Sequence, residues 1–537
     1  MIERLDALAP DARLDADVCI VGGGPAGIAI ALALEGSGLR VALLESGGLE
    51  PDDATQDLCD GVTERGLPPL GLRESRLRYL GGASNHWGGA CGPLDEIDFE
   101  ARAWMPRSGW PFPRAALADH YARAAAWIGI DPAFASVAEG AALPVFGPGA
   151  PLPVKAPGAP LPAYERGAPL ATDGLFDLAG TRLEHRVRVA RGVAFGRQYL
   201  PALEASRSVR VVLGANAVGF DFADELAAVR AVRVRSLAGR EARVAARAVV
   251  VACGGVENAR VLLAAGLGRK LDAIGRHFLW HPRLESASIV LARPFPTAAH
   301  PYDWRDDAGR RVAWSLALSR DAQDFEELPN HGIFLLPKQA PTGRAVDALG
   351  ARARGEPVES DLADDLRAVL ADPSGALEYA RSGGLLQMET WIDQVPNPDS
   401  RVVLDREVDA LGVPRARVSW TFYDYERTWI AELARHVAIE LGRAGIGRLR
   451  LEQGFLEPGG FEEALRAGQG GGHQMGTTRM SATPADGVVD ANGRVHGVAG
   501  LYCAGSSVFP TGGWTNPTLT LVALALRLAD HLRDTLR

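Results

Sequence analysis

Asp17-Val18-Cys19-Ile20-Val21-Gly22-Gly23-Gly24-Pro25-Ala26-Gly27 is the stretch whose reading decides the fold. The apolar run Val18–Val21, closed by glycines, reads as a strand buried on both faces. Ile28–Leu34 is helix-compatible and ends at Gly36-Ser37-Gly38, and Val41–Leu44 reads as a second buried strand ending at Glu45. Within the turn, Gly22 makes the tight corner and Gly24, next to Pro25 and Ala26, leaves the backbone bare for a pyrophosphate. Gly27 lets helix pack on strand, and the helix N-terminus offers its free N–H groups to the phosphates. A carboxylate at Glu45 is placed to accept from ribose hydroxyls and disfavours a 2′-phosphate, and so NADP. The unit predicts dinucleotide binding. A nicotinamide enzyme would continue into a second half of alternating strands and helices. This chain instead enters a loop-rich run, Arg78-Tyr79-Leu80-Gly81-Gly82-Ala83-Ser84-Asn85-His86-Trp87-Gly88-Gly89.

The 537 residues are 47% hydrophobic and 23% charged, which excludes global disorder. Fifty-seven basic against 66 acidic residues give a net charge of −9, which argues against nucleic acid as a partner. Cys19, Cys59, Cys91, Cys253 and Cys503 lie far apart with no C-x-x-C pair. They read as buried thiols of a reducing compartment, and no metal site is expected. The first seventeen residues are too charged for a signal peptide. The apolar stretch around Leu519–Leu526 falls short of the ~18 residues of a membrane span. The expectation is a cytoplasmic protein without a membrane span.

Further buried strands are expected at Val209–Leu213, Ala248–Ala252 and Gly500–Ala504, with helices from Ala259 and Thr518. Eight prolines within 144–169 predict an extended connection over the surface. Residues 337–384 read as an inserted, charged helical excursion.

Four segments, Val21–Gly27, Leu80–Gly89, Val250–Leu262 and Gly472–Leu528, resemble the glucose–methanol–choline (GMC) oxidoreductases, a family of FAD-dependent alcohol-oxidising enzymes. The look is closest to bacterial sugar and polyol dehydrogenases and pyranose oxidases, which share the His-Trp pair and a catalytic His followed by Asn. Iron–sulfur cysteines and a haem attachment motif are absent. The resemblance implies an α/β fold: a discontinuous, three-layer, Rossmann-like FAD-binding domain with a second α+β substrate domain on an antiparallel sheet. The expected division gives 1–95, 205–280 and 456–537 to the FAD domain, and 96–204 and 281–455 to the substrate domain.

Oxidising an alcohol requires a base for the hydroxyl proton and an acceptor for the carbinol hydride. His473 follows Gly470-Gly471-Gly472, and an imidazole titrates near neutral pH. The resemblance assigns His473 as base, Asn516 as its hydrogen-bonding partner, and flavin N5 as hydride acceptor. It also implies flavin contacts from Gly82, Ser84, Asn85 and His86. Val218 would lie at the adenine, Gly505 and Ser506 at the second cofactor loop, and Thr518 near the pyrimidine end. A covalent link from FAD to His86 is left open; the favoured reading has His86 beside the isoalloxazine without a bond. His281, in Trp280-His281-Pro282, is a candidate border of the substrate cavity. Gln387, Glu389 and Trp391 alternate on an expected strand, share one face, and are candidate substrate contacts. The expected activity is oxidation of a CH–OH group of a sugar, polyol or other secondary alcohol, with oxygen or a redox partner as acceptor. The alternatives are a flavin-containing lyase using His473 for acid–base work without net redox, and a non-catalytic flavin-binding protein.

Overall fold

The computed structural model describes the protein outside residues 65–70, 131–174, 293–301, 303, 308–309, 338–340, 375, 378–383, 452–456, 458 and 468–471. The proline-rich stretch 144–169 and most of the glycine loop before His473 lie outside the described residues.

The strand that opens the glycine turn runs Ala12–Val21, longer than its apolar core, and its neighbour runs Val41–Glu45. Between them the helix Pro25–Ala33 starts on a proline at its first position, where no backbone donor is lost. Seven of its nine residues are buried, because it packs against the sheet on one side and the terminal helix Thr518–Leu536 on the other. A β-carbon on Gly27 would sit 1.9 Å from the Gly22 carbonyl oxygen, so only glycine permits this helix to approach the turn.

Parallel strands are added on both sides. Val209–Leu213 pairs with Val41–Glu45, and the N-terminal Ile2–Arg4 pairs with Val209–Leu213. On the far side Glu241–Val251 runs beside Ala12–Val21 over nearly its whole length. Its second half also pairs with Leu501–Cys503, while its first half joins the antiparallel strands Ala228–Arg235 and Asn216–Ala223. The expectation of a strand at 248–252 caught only the second half. Residues 248–251 are buried on both faces, whereas the first half alternates buried and exposed positions and carries arginines.

A second, antiparallel sheet runs in the order Gly447–Leu451, Arg283–Leu291, Leu385–Trp391, Gly332–Pro337, Arg310–Leu318, Leu183–Ala190 and Ala90–Cys91. The helix Asp424–Arg443 packs beside its edge strand Gly447–Leu451. A small third sheet joins Arg401–Val408, Pro414–Ser419 and Gly61–Glu64. Within 337–384, the helices Pro341–Ala353 and Leu362–Ala371 pack on each other. No helix of the described residues is long and apolar enough to cross a membrane. Four cysteines are buried and Cys253 is partly buried, all as free thiols.

Candidate active site

One cavity of about 810 Å³ runs from the glycine turn to the antiparallel sheet, where it meets interior strands carrying Arg188, Arg283 and Trp391. At one end it is lined by Gly22, Gly24, Pro25, Ala26 and Glu45; at the other it is lined by His473, Asn516, Trp391, Trp304, Arg188 and Arg283. Gly82, Ser84, His86, Gly505, Ser506 and Thr518 line it between these ends.

The turn is pre-set by its own hydrogen bonds. Glu45, 5% exposed, accepts from the Gly23 N–H at 2.8 Å through one oxygen and from the Gly47 N–H at 2.9 Å through the other. Its carboxylate therefore holds two loops together besides lining the cavity. A β-carbon added to Gly24 or to Gly505 would meet no protein atom within 4 Å and would project into cavity space. That bare cradle, beside the N-termini of the helices Pro25–Ala33 and Gly255–Ala264, fits a pyrophosphate.

Beneath the cradle, Glu257 carries three guanidiniums: Arg78 at 2.6 Å, Arg260 at 2.8 Å and Arg76 at 3.2 Å. Burial alone would raise its carboxyl pKa, but the charges of Arg260, Arg78 and Arg76 hold it well below the usual carboxylate range. Arg260 also pairs with Asp409, but Glu257→Gln takes the carboxylate partner from buried Arg76 and Arg78 and is expected to cost about 3–5 kcal/mol of stability, read as a lower urea midpoint. An unchanged midpoint would contradict this role.

At the other end, the backbones of Leu279 and Met475 pair through two 3.0 Å hydrogen bonds in an antiparallel bridge. Two residues further along each strand, this register sets His281 directly across from His473. Their Nδ1 atoms are 3.0 Å apart. Asn516, just before the terminal helix, brings its amide nitrogen to 3.2 Å from His473 Nε2. An amide N–H donating to Nε2 leaves that nitrogen unprotonated, so the His473 proton sits on Nδ1 and is donated to His281. The Trp391 ring, 5.9 Å from the His473 ring and 5.2 Å from that of His281, packs beside both.

Burial, the neighbouring His281, and the positive charges of Arg283 and Arg188 hold the His473 pKa well below its ordinary value. Burial pushes His281 down to about 3. Both imidazoles are neutral at physiological pH, and His473 Nε2 is a lone-pair acceptor facing the cavity beside two cations. Such a site accepts a proton from a hydroxyl while the nearby positive charge favours the oxygen's developing negative charge.

Several expected residues stand elsewhere. His281 does not line the cavity; it lies behind His473, with its backbone at φ +70°, and contacts its ring. Asn85 donates to the Leu80 carbonyl at 3.0 Å, bracing the His86 loop from behind. Ser84 lines the cavity and also accepts from the Phe195 N–H at 3.0 Å. Around the start of the strand Asn216–Ala223 the lining residues are Ala215 and Ala217, while Val218, expected at the adenine, packs on Leu58, Leu411 and Val413 instead. Of the trio on Leu385–Trp391, only Trp391 reaches the cavity. Gln387 donates to the Ala287 carbonyl at 3.1 Å, and Glu389 accepts from Trp391 Nε1 at 2.6 Å. His86 is exposed to the cavity, and burial lowers its pKa. Arg188, Arg283 and Trp304 escaped the sequence reading. Two of them are arginines on strands that alternate charged and apolar residues, a pattern that normally marks a solvated face.

A glycine turn feeding a parallel sheet, joined to an antiparallel sheet across a long shared cavity, is the arrangement of a dinucleotide-binding protein. The GMC oxidoreductase family is matched in two stretches, residues 187–283 and 396–525, and the chain belongs to that family. It is accordingly an enzyme whose cofactor is FAD. Paromamine 6'-oxidase of Streptomyces fradiae is 28% identical across 96% of this chain and 90% of that protein. C-glycoside 3-oxidase of Microbacterium trichothecenolyticum is 29% identical across 55% of this chain and 48% of that protein. Among solved structures, an Aspergillus oryzae formate oxidase matches with a TM-score of 0.57 at 15% identity, covering 98% of this chain and 99% of that one. A pyridoxine 4-oxidase matches with a TM-score of 0.52 at 16% identity, covering 96% and 98%. These two likenesses are of fold.

Proposed function

We propose that the protein oxidises a CH–OH group of a sugar, polyol or related secondary alcohol to a carbonyl, with His473 as the base. The observation that carries this reading is the 3.2 Å contact between Asn516 and His473 Nε2 on the cavity wall. When bound, FAD supplies the acceptor for the carbinol hydride. The residues present fit that cofactor: Gly22, Gly24, Pro25 and Ala26 at the pyrophosphate, Glu45 toward the ribose, and Gly505, Ser506 and Thr518 along the remainder. Substrate binding exchanges the Asn516 contact for the substrate hydroxyl. Its proton passes to His473 Nε2, while Nδ1–H stays anchored on His281. Asn516 then holds the substrate oxygen in place. Trp391 and Trp304 exclude water from one side of the substrate. The names of the relatives, which include a fructose dehydrogenase large subunit from Gluconobacter japonicus, support the sugar-alcohol class. The division into an FAD domain (1–95, 205–280, 456–537) and a substrate domain (96–204, 281–455) is part of the same proposal.

Anaerobic exposure of the purified holoprotein to an alcohol panel tests the reading, with loss of the visible flavin band expected for at least one sugar or polyol. A flavin that stays oxidised with every alcohol while an aldehyde is released would instead identify a lyase.

The base must be neutral to act. Because the His473 pKa lies well below 6.5, kcat/KM is expected to be level from pH 8 down to about 6.5 and to fall only in more acid solution. A falling limb centred at or above neutral pH would contradict that assignment.

A further inference from the structure

The cavity wall formed by the antiparallel sheet carries a cation that the chemistry above does not consume. Arg188, on the strand Leu183–Ala190, is only 6% exposed and lines the cavity. Its guanidinium carbon lies 3.8 Å from the centre of the Phe334 ring, 5.0 Å from that of Trp304 and 5.1 Å from that of Trp391. Among the described residues it makes no hydrogen bond or ion pair, and its Nε is buried without an acceptor. Glu389, the carboxylate whose charge reaches it, is engaged elsewhere. Glu389 accepts from Trp391 Nε1 at 2.6 Å and stands 3.8 Å from Arg283 Nη1.

Buried arginines are almost always paired, and this one is held in an aromatic cage that orients a guanidinium without neutralising it. Burial pushes its pKa down to about 9, so it stays cationic at neutral pH. Arg283, 3.8 Å from Glu389, lines the same wall. The pyrophosphate cradle lies at the other end of the cavity, so Arg188 does not serve it. The guanidinium stands instead at the His473 end of the cavity, where the Trp391 ring lies 5.1 Å from its carbon and 5.9 Å from the His473 ring. An anion held there by a planar fork would belong to the molecule whose hydroxyl meets His473.

We propose that the alcohol oxidised here carries a carboxylate, bound by Arg188 with help from Arg283, so that the substrate class is a sugar acid or similar polyhydroxy acid rather than a neutral or amino sugar. This rests on the alcohol-oxidising reading above. A cationic amino sugar would meet two guanidiniums and is expected to be a poor substrate.

The test uses the flavin-loaded full chain and matched compounds: glucose, glucosamine, glucuronate, gluconate and glucose 6-phosphate, with the galactose series in parallel. At least one sugar acid is expected to exceed its neutral parent in kcat/KM for flavin bleaching by about tenfold or more. Arg188→Met is expected to erase that preference chiefly through KM, and Arg188→Lys to restore part of it. In a second arm, malonate, which offers no hydroxyl to oxidise, is titrated into the oxidised holoprotein and followed by the flavin absorption spectrum. Wild type is expected to bind it at least about tenfold more tightly than R188M. Neutral sugars preferred by wild type, a sugar phosphate preferred over the acids, or equal malonate binding by wild type and R188M would each overturn the proposal. If no alcohol of any kind bleaches the flavin, the alcohol-oxidising reading falls, and the malonate arm alone decides whether Arg188 is a carboxylate site.

Discussion

His473→Ala is expected to lower turnover on the best alcohol by about 10²–10⁴-fold while the purified protein stays yellow. The size of the loss is that of a positioned base. An aliphatic hydroxyl surrenders its proton poorly to water, and among the described residues no second neutral base lines this end of the cavity. His281 is buried behind His473, and Asn516 offers an amide that does not accept protons. The cofactor should survive because the groups fitted to its phosphates, Gly24, Gly505 and the two helix N-termini, lie on other elements. Flavin content per protein and kcat are measured together. Near-native turnover in a fully loaded variant would move the chemistry away from His473.

Gly24→Val should produce the opposite phenotype: a folded, colourless protein with FAD affinity reduced by at least about 100-fold. The backbone at Gly24 has φ −80° and ψ −174°, which a β-branched residue adopts without strain. Its β-carbon would meet no protein atom within 4 Å, so the fold should be little disturbed. The same open space is what a pyrophosphate needs, and the added side chain occupies it. Gly27→Val makes an informative contrast, because there even a β-carbon would lie 1.9 Å from the Gly22 oxygen, and the helix could not seat. Gel filtration followed by the ratio of flavin to protein absorbance separates the cases. A Gly24→Val protein that elutes yellow would sink the assignment of the turn as the phosphate cradle.

The difference between those two glycines also shows which parts of the molecule can be read without coordinates. The βαβ turn is legible because all its constraints are local: a buried strand, glycines at a fixed spacing, a proline at the helix start and an acid at the end of the next strand. His473 and Asn516 were legible for another reason, the resemblance of the closing segment to a known family; their 3.2 Å contact was not. Strand length was misjudged wherever burial changes along a strand. Ala12–Val21 and Glu241–Val251 each alternate over their first half and turn wholly apolar where the parallel sheet is covered on both faces. The trio Gln387, Glu389 and Trp391 shares a strand, yet only Trp391, at its end, reaches the cavity.

Local sequence by itself determined the glycine turn, its carboxylate and the class of cofactor, since these follow from backbone conformation and hydrogen bonding within a few dozen residues. The tertiary structure alone decided how the imidazoles pair and where the unpaired guanidinium sits. The Leu279–Met475 bridge joins strands nearly two hundred residues apart, and it is this register that sets His281 behind His473. Arg188 reads along its own strand as a solvated residue. It becomes a buried cation on the cavity wall only because Phe334, Trp304 and Trp391, drawn from three other segments, close around it. Electrostatic character depends on which charges are absent from the neighbourhood, and that is a property of the folded surroundings rather than of any one stretch of chain.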